Sequence, residues 1–529
     1  MRSFHRPGRS PVYGRNAMCA TSHPAASLAA IEALRDGGNA VDAALTAAGV
    51  LAVVEPHMTG IGGDCFALIW KPGHGLVALS GAGQAPAAAE ANWYSYHDIT
   101  EIEQGSPHAV TVPSAIDAWT RLSRDHGRLP FERIMVPAIR YADEGFVVAS
   151  RVGSDWAELV EKLSVHDAAR QHLLVGGRAP EVASVMRFPA LAESLRAIAR
   201  GGREAFYEGA IAEDLVGTLR ALGGLHTMDD FARQKSRYVT PIVTSFAGVD
   251  VCELPPSNQG IVVLMMLKIL ERLDGIADCE PLSARRYHML MEAARLAYAV
   301  RGAHVADPDK ADVPIDYLLS DGVADELAGR IDPLRRKADL GPVPRPHGSD
   351  TVYLSVVDQD GMVVSFINSV YSAFGSGIVG AKSGIWLHNR GQSFVLEPDH
   401  PNCIAPGKRP MHTLVPALAL RNGEPWLSFG VMGADFQPMG HVYVLTNMLW
   451  HGMDPQEALD FPRMFFEGDA LGVETTVPSA IVDELTAMGH LVVPTEEPLG
   501  GGQIVEIDRA RGVLIGASEP RKDGLALGY

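Results

Sequence analysis

"PHGSDTVYLSVVDQDG" (residues 346–361) joins two different textures of chain. A connector rich in Pro and charge, "DPLRRKADLGPVPRPHGSD" (332–350), runs without transition into a patterned strand whose first residue is Thr351. The connector has little to bury, so it is expected to be exposed and flexible. On composition alone it reads as an interdomain linker. The strand beyond it continues as a hairpin, "YLSVVDQDGMVVSFINS" (353–369), with Asp360-Gly361 at the tip.

Further hairpins are expected in "CFALIWKPGHGLVALSG" (65–81), "PALALRNGEPWLSFG" (416–430) and "QIVEIDRARGVLIGAS" (503–518). Helix-period patterns occupy 24–56, 114–147, 189–220 and 283–302. In the first of these, "AVDAALTAAGVLAVV" (40–54) is too short to span a bilayer and reads as a buried helix, capped by Asn39 and followed by Pro56. In the last, Ser283 is the expected cap and Gly302 the stop, and His288 reads as a packing or surface histidine. Antiparallel hairpins with amphipathic helices predict sheets covered by helices, an α+β layered architecture.

The chain has 529 residues, too many for one ordinary core, so two interlocked halves or domains are expected. Its formal charge of −18 argues against a nucleic-acid partner, and "LRRK" (334–337) reads as solvated loop. The start, "MRSFHRPGRSPVYG", lacks an apolar segment of the secretory kind. Five scattered cysteines without a CxxC suggest neither a disulfide framework nor a zinc site. Together these point to a reducing cytoplasm, with no membrane partner and no metal or organic cofactor.

Several motifs fail on context. "GSGIVG" (375–380) matches a dinucleotide fingerprint by letter, but the strand-like "AKSGIWLHNRG" follows where a helix is required. "DQDG" lacks the acidic ligands of a calcium loop. No GxSxG elbow or HExxH is present. "GIGGD" (60–64) and "LGGGQ" (499–503) read as tight turns by default.

A threonine at a cut end has its own chemistry. Its hydroxyl needs a base, and a free α-amine can serve, directly or through one water. That amine has an ordinary pKa of about 7.7–8.0, so roughly a tenth is neutral at pH 7.

The chain resembles the γ-glutamyltransferase family of N-terminal nucleophile hydrolases over almost its whole length. The resemblance is carried by "GGNAVDAALTAAGVLAVVEPHMTGIGGDCFALI" (37–69), "DTVYLSVVDQDGMVVSFINSVYSAFGSGIV" (350–379), "SGIWLHNRGQSF" (383–394), "PGKRPMHTLVPAL" (406–418), "FGVMGADF" (429–436) and "GASEPRKDGLALGY" (516–529). It implies a four-layer αββα fold and a precursor cut between Asp350 and Thr351. The products would be intertwined large (1–350) and small (351–529) subunits. Thr351 falls at the nucleophile's place, Ser369 at that of an activating hydroxyl, and Gly433 and Ala434 at the oxyanion hole.

Other positions depart from the family pattern. Ala82, in "AGQAP" (82–86), stands where an arginine grips the donor carboxylate, and Ser393 where an aspartate grips its amino group. His412-Thr413 replaces a serine pair, and Tyr371 an asparagine. The loop "VLEPDHPNCIAPGK" (395–408) is short for a lid. Arg390 is a candidate replacement anion clamp, or else a structural arginine. His412 could orient substrate or donate from the site wall. The expected activity is amide hydrolysis on a small carboxylate-bearing substrate through an acyl-enzyme, as in oxamate amidohydrolase-like and acylase-like members. The alternatives are a glutathione hydrolase or γ-glutamyltransferase, and a catalytically silent member with a binding role.

Overall fold

The computed structural model describes residues 8–338 and 350–529. Fourteen strands build two sheets: β1 (Val12–Gly14), β2 (Met18–Thr21), β3 (Asp64–Lys71), β4 (Gly75–Gly81), β5 (Arg237–Val239), β6 (Ile242–Phe246), β7 (Val249–Glu253), β8 (Asp350–Val357), β9 (Val363–Tyr371), β10 (Ala417–Arg421), β11 (Glu424–Met432), β12 (Gly501–Asp508), β13 (Val513–Ser518) and β14 (Leu525–Gly528). One sheet runs β1-β13-β12-β11-β10-β7-β6 and the other β14-β2-β8-β9-β3-β4-β5, and all neighbours are antiparallel. Every expected hairpin is present.

The principal helices are α1 (Pro24–Arg35), α2 (Ala40–Val54), α3 (Ala115–His126), α4 (Phe131–Glu144), α5 (Pro189–Tyr207), α6 (Gly260–Leu270), α7 (Ala284–His304), α8 (Gln437–His451) and α9 (Ser479–Ala487). Three apolar cores separate four layers. Between the sheets, Phe66, Leu68, Tyr353 and Ile367 meet Leu254, Leu418 and Val505. One outer core lies under α1 to α5, and the other under α6, α7 and α8. The fold is therefore the αββα sandwich expected of an α+β layered chain.

Helix α2 is buried along its whole length. Asn39 and Asp42 form a reciprocal capping box at its start, a device worth about 1 kcal/mol. Ala40 N–H donates to Asp358 at 2.9 Å, and Asp358 also accepts from Asp360 and Met362. The "DQDG" carboxylate thus shapes the hairpin turn and caps a helix. Gly302 does not stop α7. It keeps a negative φ, and the helix continues to His304, because glycine ends a helix only where it turns left-handed.

The expected linker does not separate two domains. Each sheet contains strands from both sides of residue 350. Of the connector, Asp332 to Lys337 pack against α7 and the turn after α9, while the expected flexibility of 339–349 falls outside the described residues. Among the described residues no helix is long and apolar enough to cross a membrane.

Burial sets an expectation for stability. His226, His412 and His441 are buried, and loss of water pushes their pKa values down to about 4, 3 and 3. Below the unfolded value of about 6.5 the unfolded chain takes up these protons and the folded chain does not, so stability falls as pH falls. Between pH 6.5 and 5 each group costs about 2 kcal/mol. Thermal unfolding followed by circular dichroism should shift down by roughly 5 °C over that interval. A flat Tm would overturn the neutral assignment.

Candidate active site

The site lies at the end of β8, where sheet geometry is irregular. Asp350 pairs with Tyr371 and Val352 with Asn368, so β9 carries one extra residue opposite Thr351. Such a bulge re-aims side chains. Thr351 Oγ1 donates to Ser369 Oγ at 3.1 Å, and Ser369 Oγ also accepts from Tyr371 N–H at 2.8 Å. Tyr371 adopts φ 79°, a left-handed conformation that costs a side-chain-bearing residue on the order of 1–2 kcal/mol.

Strand β8 faces β11 across the central core. Ser355 Oγ donates to Ser428 Oγ at 2.7 Å, and a Cβ on Gly430 would lie 2.4 Å from the Tyr353 ring. Alternate residues of a strand share a face, so continuing along that face brings Thr351 towards the end of β11 and the turn that follows it. That turn holds Gly433 (φ 126°) and Ala434 (φ 45°) at the start of a short 3-10 helix, where N–H groups have no intrahelical acceptor. Gln259 Nε2 donates to the carbonyls of Ala434 (2.9 Å) and Thr413 (3.0 Å), fixing the Ala434 peptide. Arg301 pairs with Asp435, and the Tyr298 hydroxyl donates to the Asp435 carbonyl.

The two glycine clusters do more than turn. A Cβ on Gly63 would sit 2.1 Å from the Ser369 carbonyl oxygen, and one on Gly500 would sit 2.7 Å from that of Met432. Both let backbone press directly against the site.

Arg390 opens a short 3-10 turn, Arg390–Ser393, and is 1 % exposed. Its guanidinium carbon stands 3.9 Å from the Tyr371 ring centroid, and Nη1 donates to Thr413 Oγ1 at 2.9 Å. Among the described residues it forms no ion pair, and Nε has no hydrogen-bond partner. Burial lowers its pKa to about 10, with Tyr371, Asp64 and Asp435 opposing, so it remains a cation at neutral pH. Ser393 contributes its carbonyl to Asn402 Nδ2 at 2.6 Å.

His412 Nε2–H donates to Asp64 Oδ2 at 3.0 Å, which also lies 3.4 Å from His388 Nδ1. Asp64 Oδ1 accepts from Gly83 N–H at 3.0 Å, and Asp64 pairs directly with Ser369 across β3 and β9. Burial pushes the Asp64 carboxyl up, but His388 and His412 outweigh it and hold it well below the usual carboxylate range. The stretch containing Ala82 therefore meets the site through this aspartate. The loop 395–408 is bonded to the same stretch: Ala85 N–H donates to the Lys408 carbonyl and Gln84 Nε2 to that of Gly407.

The structure thus joins Thr351 to Ser369 and Tyr371, and Arg390 to Tyr371 and Thr413. It links His412 to Asp64. Sequence reading missed Asp64, His388, Gln259, Arg301 and Asp435. Only Asp64 left a signal, an acidic residue closing a glycine run.

Two face-to-face antiparallel sheets, each covered by helices, are the architecture of N-terminal nucleophile hydrolases. The gamma-glutamyltranspeptidase family profile matches residues 26–529. A glutathione hydrolase-like YwrD proenzyme of Bacillus subtilis is 36% identical over 98% of this chain and 99% of its own length. An oxamate amidohydrolase proenzyme of Klebsiella pneumoniae is 36% identical over 97% and 98%. The crystal structure of a cephalosporin acylase from Bacillus halodurans superposes with a TM-score of 0.93 at 36% identity, covering 100% of this chain and 99% of that one. The chain belongs to the gamma-glutamyltranspeptidase family.

Proposed function

We propose that this chain is a self-processing amidohydrolase that cuts itself between Asp350 and Thr351 and then hydrolyses an amide of a small, carboxylate-bearing substrate. In the first reaction Thr351 Oγ1 attacks the Asp350 carbonyl, the peptide nitrogen leaves as the Thr351 amine, and water hydrolyses the resulting ester. Residues 1–350 and 351–529 become the large and small subunits.

In the second reaction the amine takes the Thr351 hydroxyl proton and Oγ1 attacks the substrate carbonyl. The Gly433 and Ala434 N–H groups meet the developing oxyanion, where loss of one donor typically costs about 10²–10³ in rate. The amine nitrogen of the substrate leaves with the proton, and water resolves the acyl-enzyme. Ser369, bonded to Oγ1, holds the hydroxyl in line.

The observation that carries the substrate class is Arg390, a buried guanidinium with no ion-pair partner among the described residues, stacked on the ring of Tyr371, whose backbone N–H is bonded to Ser369. A carboxylate entering there gains a charge-assisted, fork-shaped contact. His412 and Thr413 line the same wall, and Ser393 and Tyr371 frame the guanidinium. The relatives named for oxamate amidohydrolase and cephalosporin acylase support amide chemistry of this kind.

A panel of oxamate, short dicarboxylic monoamides, γ-glutamyl anilide and glutathione tests the reading by ammonia or amine release. Carboxylate-bearing amides without an α-amino group should show the highest kcat/KM. Preference for γ-glutamyl compounds would replace it with a glutathione hydrolase or γ-glutamyltransferase. Uncut chain without turnover would favour a silent member.

A further inference from the structure

We propose that His288, Glu292 and His490 form a zinc-class divalent cation site that ties together stretches of chain from either side of residue 350. His288 and Glu292 stand one turn apart on α7, and His490 follows α9. All three are buried, and one donor atom from each lies within 4.8 Å of the others. Two imidazole nitrogens and a carboxylate oxygen are a zinc donor set, with a fourth position left for water.

The second layer of contacts favours this use. His288 Nε2–H donates to the Asp332 carbonyl at 2.8 Å, a tautomer in which Nδ1 carries a lone pair rather than a proton. That lone pair accepts from His490 Nε2–H at 2.8 Å, and a cation would take this proton's place once His490 carries its proton on Nδ1 instead. A backbone carbonyl behind a histidine is the usual way a ligating ring is oriented. Glu292 accepts from Arg295 Nη1 at 2.8 Å and from Lys337 N–H at 3.1 Å, and each oxygen keeps a second lone pair. The Arg295 charge opposes a cation and sets the affinity below that of an unshielded site.

The position gives the cation a role. Asp332 and Lys337 lie in the first turns of the connector, and both are bonded to ligand residues. Metal there would hold the end of the first stretch against the second.

Chelator-treated, dialysed enzyme titrated calorimetrically with zinc chloride should take up one ion per chain. Cobalt substituted for zinc should give the intense visible bands of a tetrahedral site. Changing a residue behind a ligand typically costs 10–100-fold in affinity, so His490→Gln and Glu292→Gln should each cost at least about 100-fold. No saturable uptake by the wild-type enzyme would overturn the proposal whatever the variants do, leaving a hydrogen-bonded histidine pair. Unchanged uptake by His490→Gln would overturn it as well. The uncut Thr351→Ala chain should bind zinc as the wild type does, which separates this test from that of the hydrolase reading.

Discussion

Thr351→Ala should purify as a single uncut chain and show no amide turnover. In the proposed mechanism both effects come from one atom, since Oγ1 would attack first the Asp350 carbonyl and then the substrate. Intact-mass spectrometry reads the first, and product release the second. In a serine protease loss of the nucleophile costs about 10⁶ in kcat, and a comparable fall is expected here. Thr351→Ser keeps the hydroxyl and should still be cut. A Thr351→Ala chain that is cut and active would remove Thr351 from both reactions.

Arg390→Ala should be processed normally yet lose about 10²–10³ in kcat/KM on carboxylate-bearing amides. Truncating one member of a buried, hydrogen-bonded charge pair costs 2–5 kcal/mol, and the substrate carboxylate would supply the other member. Arg390→Lys keeps the charge and loses the fork, so it should fall between. The discriminating measurement is a neutral amide of matched size. A clamp makes the variant selectively worse on the charged substrate, whereas a purely structural arginine would lower both equally. Equal loss would therefore end the clamp assignment.

The hairpins were legible because alternating apolar residues and Gly turns are local signals, and the four layers follow from pairing them with amphipathic helices. Thr351, Ser369, Gly433 and Ala434 could be placed only through motif order. Nothing in their spacing relates residues 351 and 433 until β8 is laid across β11, with Ser355 on Ser428 and Tyr353 against Gly430. Asp64 shows the limit most sharply. It meets His412 from 348 residues away, and no periodicity records a contact of that range. Gln259, Arg301 and Asp435 likewise read as ordinary polar residues until tertiary packing buries them around one turn. The Gly302 stop failed because a glycine can remain helical when the following turn packs well.

The strand order has a consequence for how such a molecule can be made. In one sheet three ladders join residues from opposite sides of position 350, and in the other sheet two do. If the two pieces were encoded by separate genes, each would emerge with several unpaired sheet edges, the surfaces that drive aggregation. If the chain is cut as proposed, manufacture must therefore run in one direction, folding first and severing second. On the proposed reading the peptide bond before Thr351 would serve as scaffolding, needed to assemble the building and removed before it can be used.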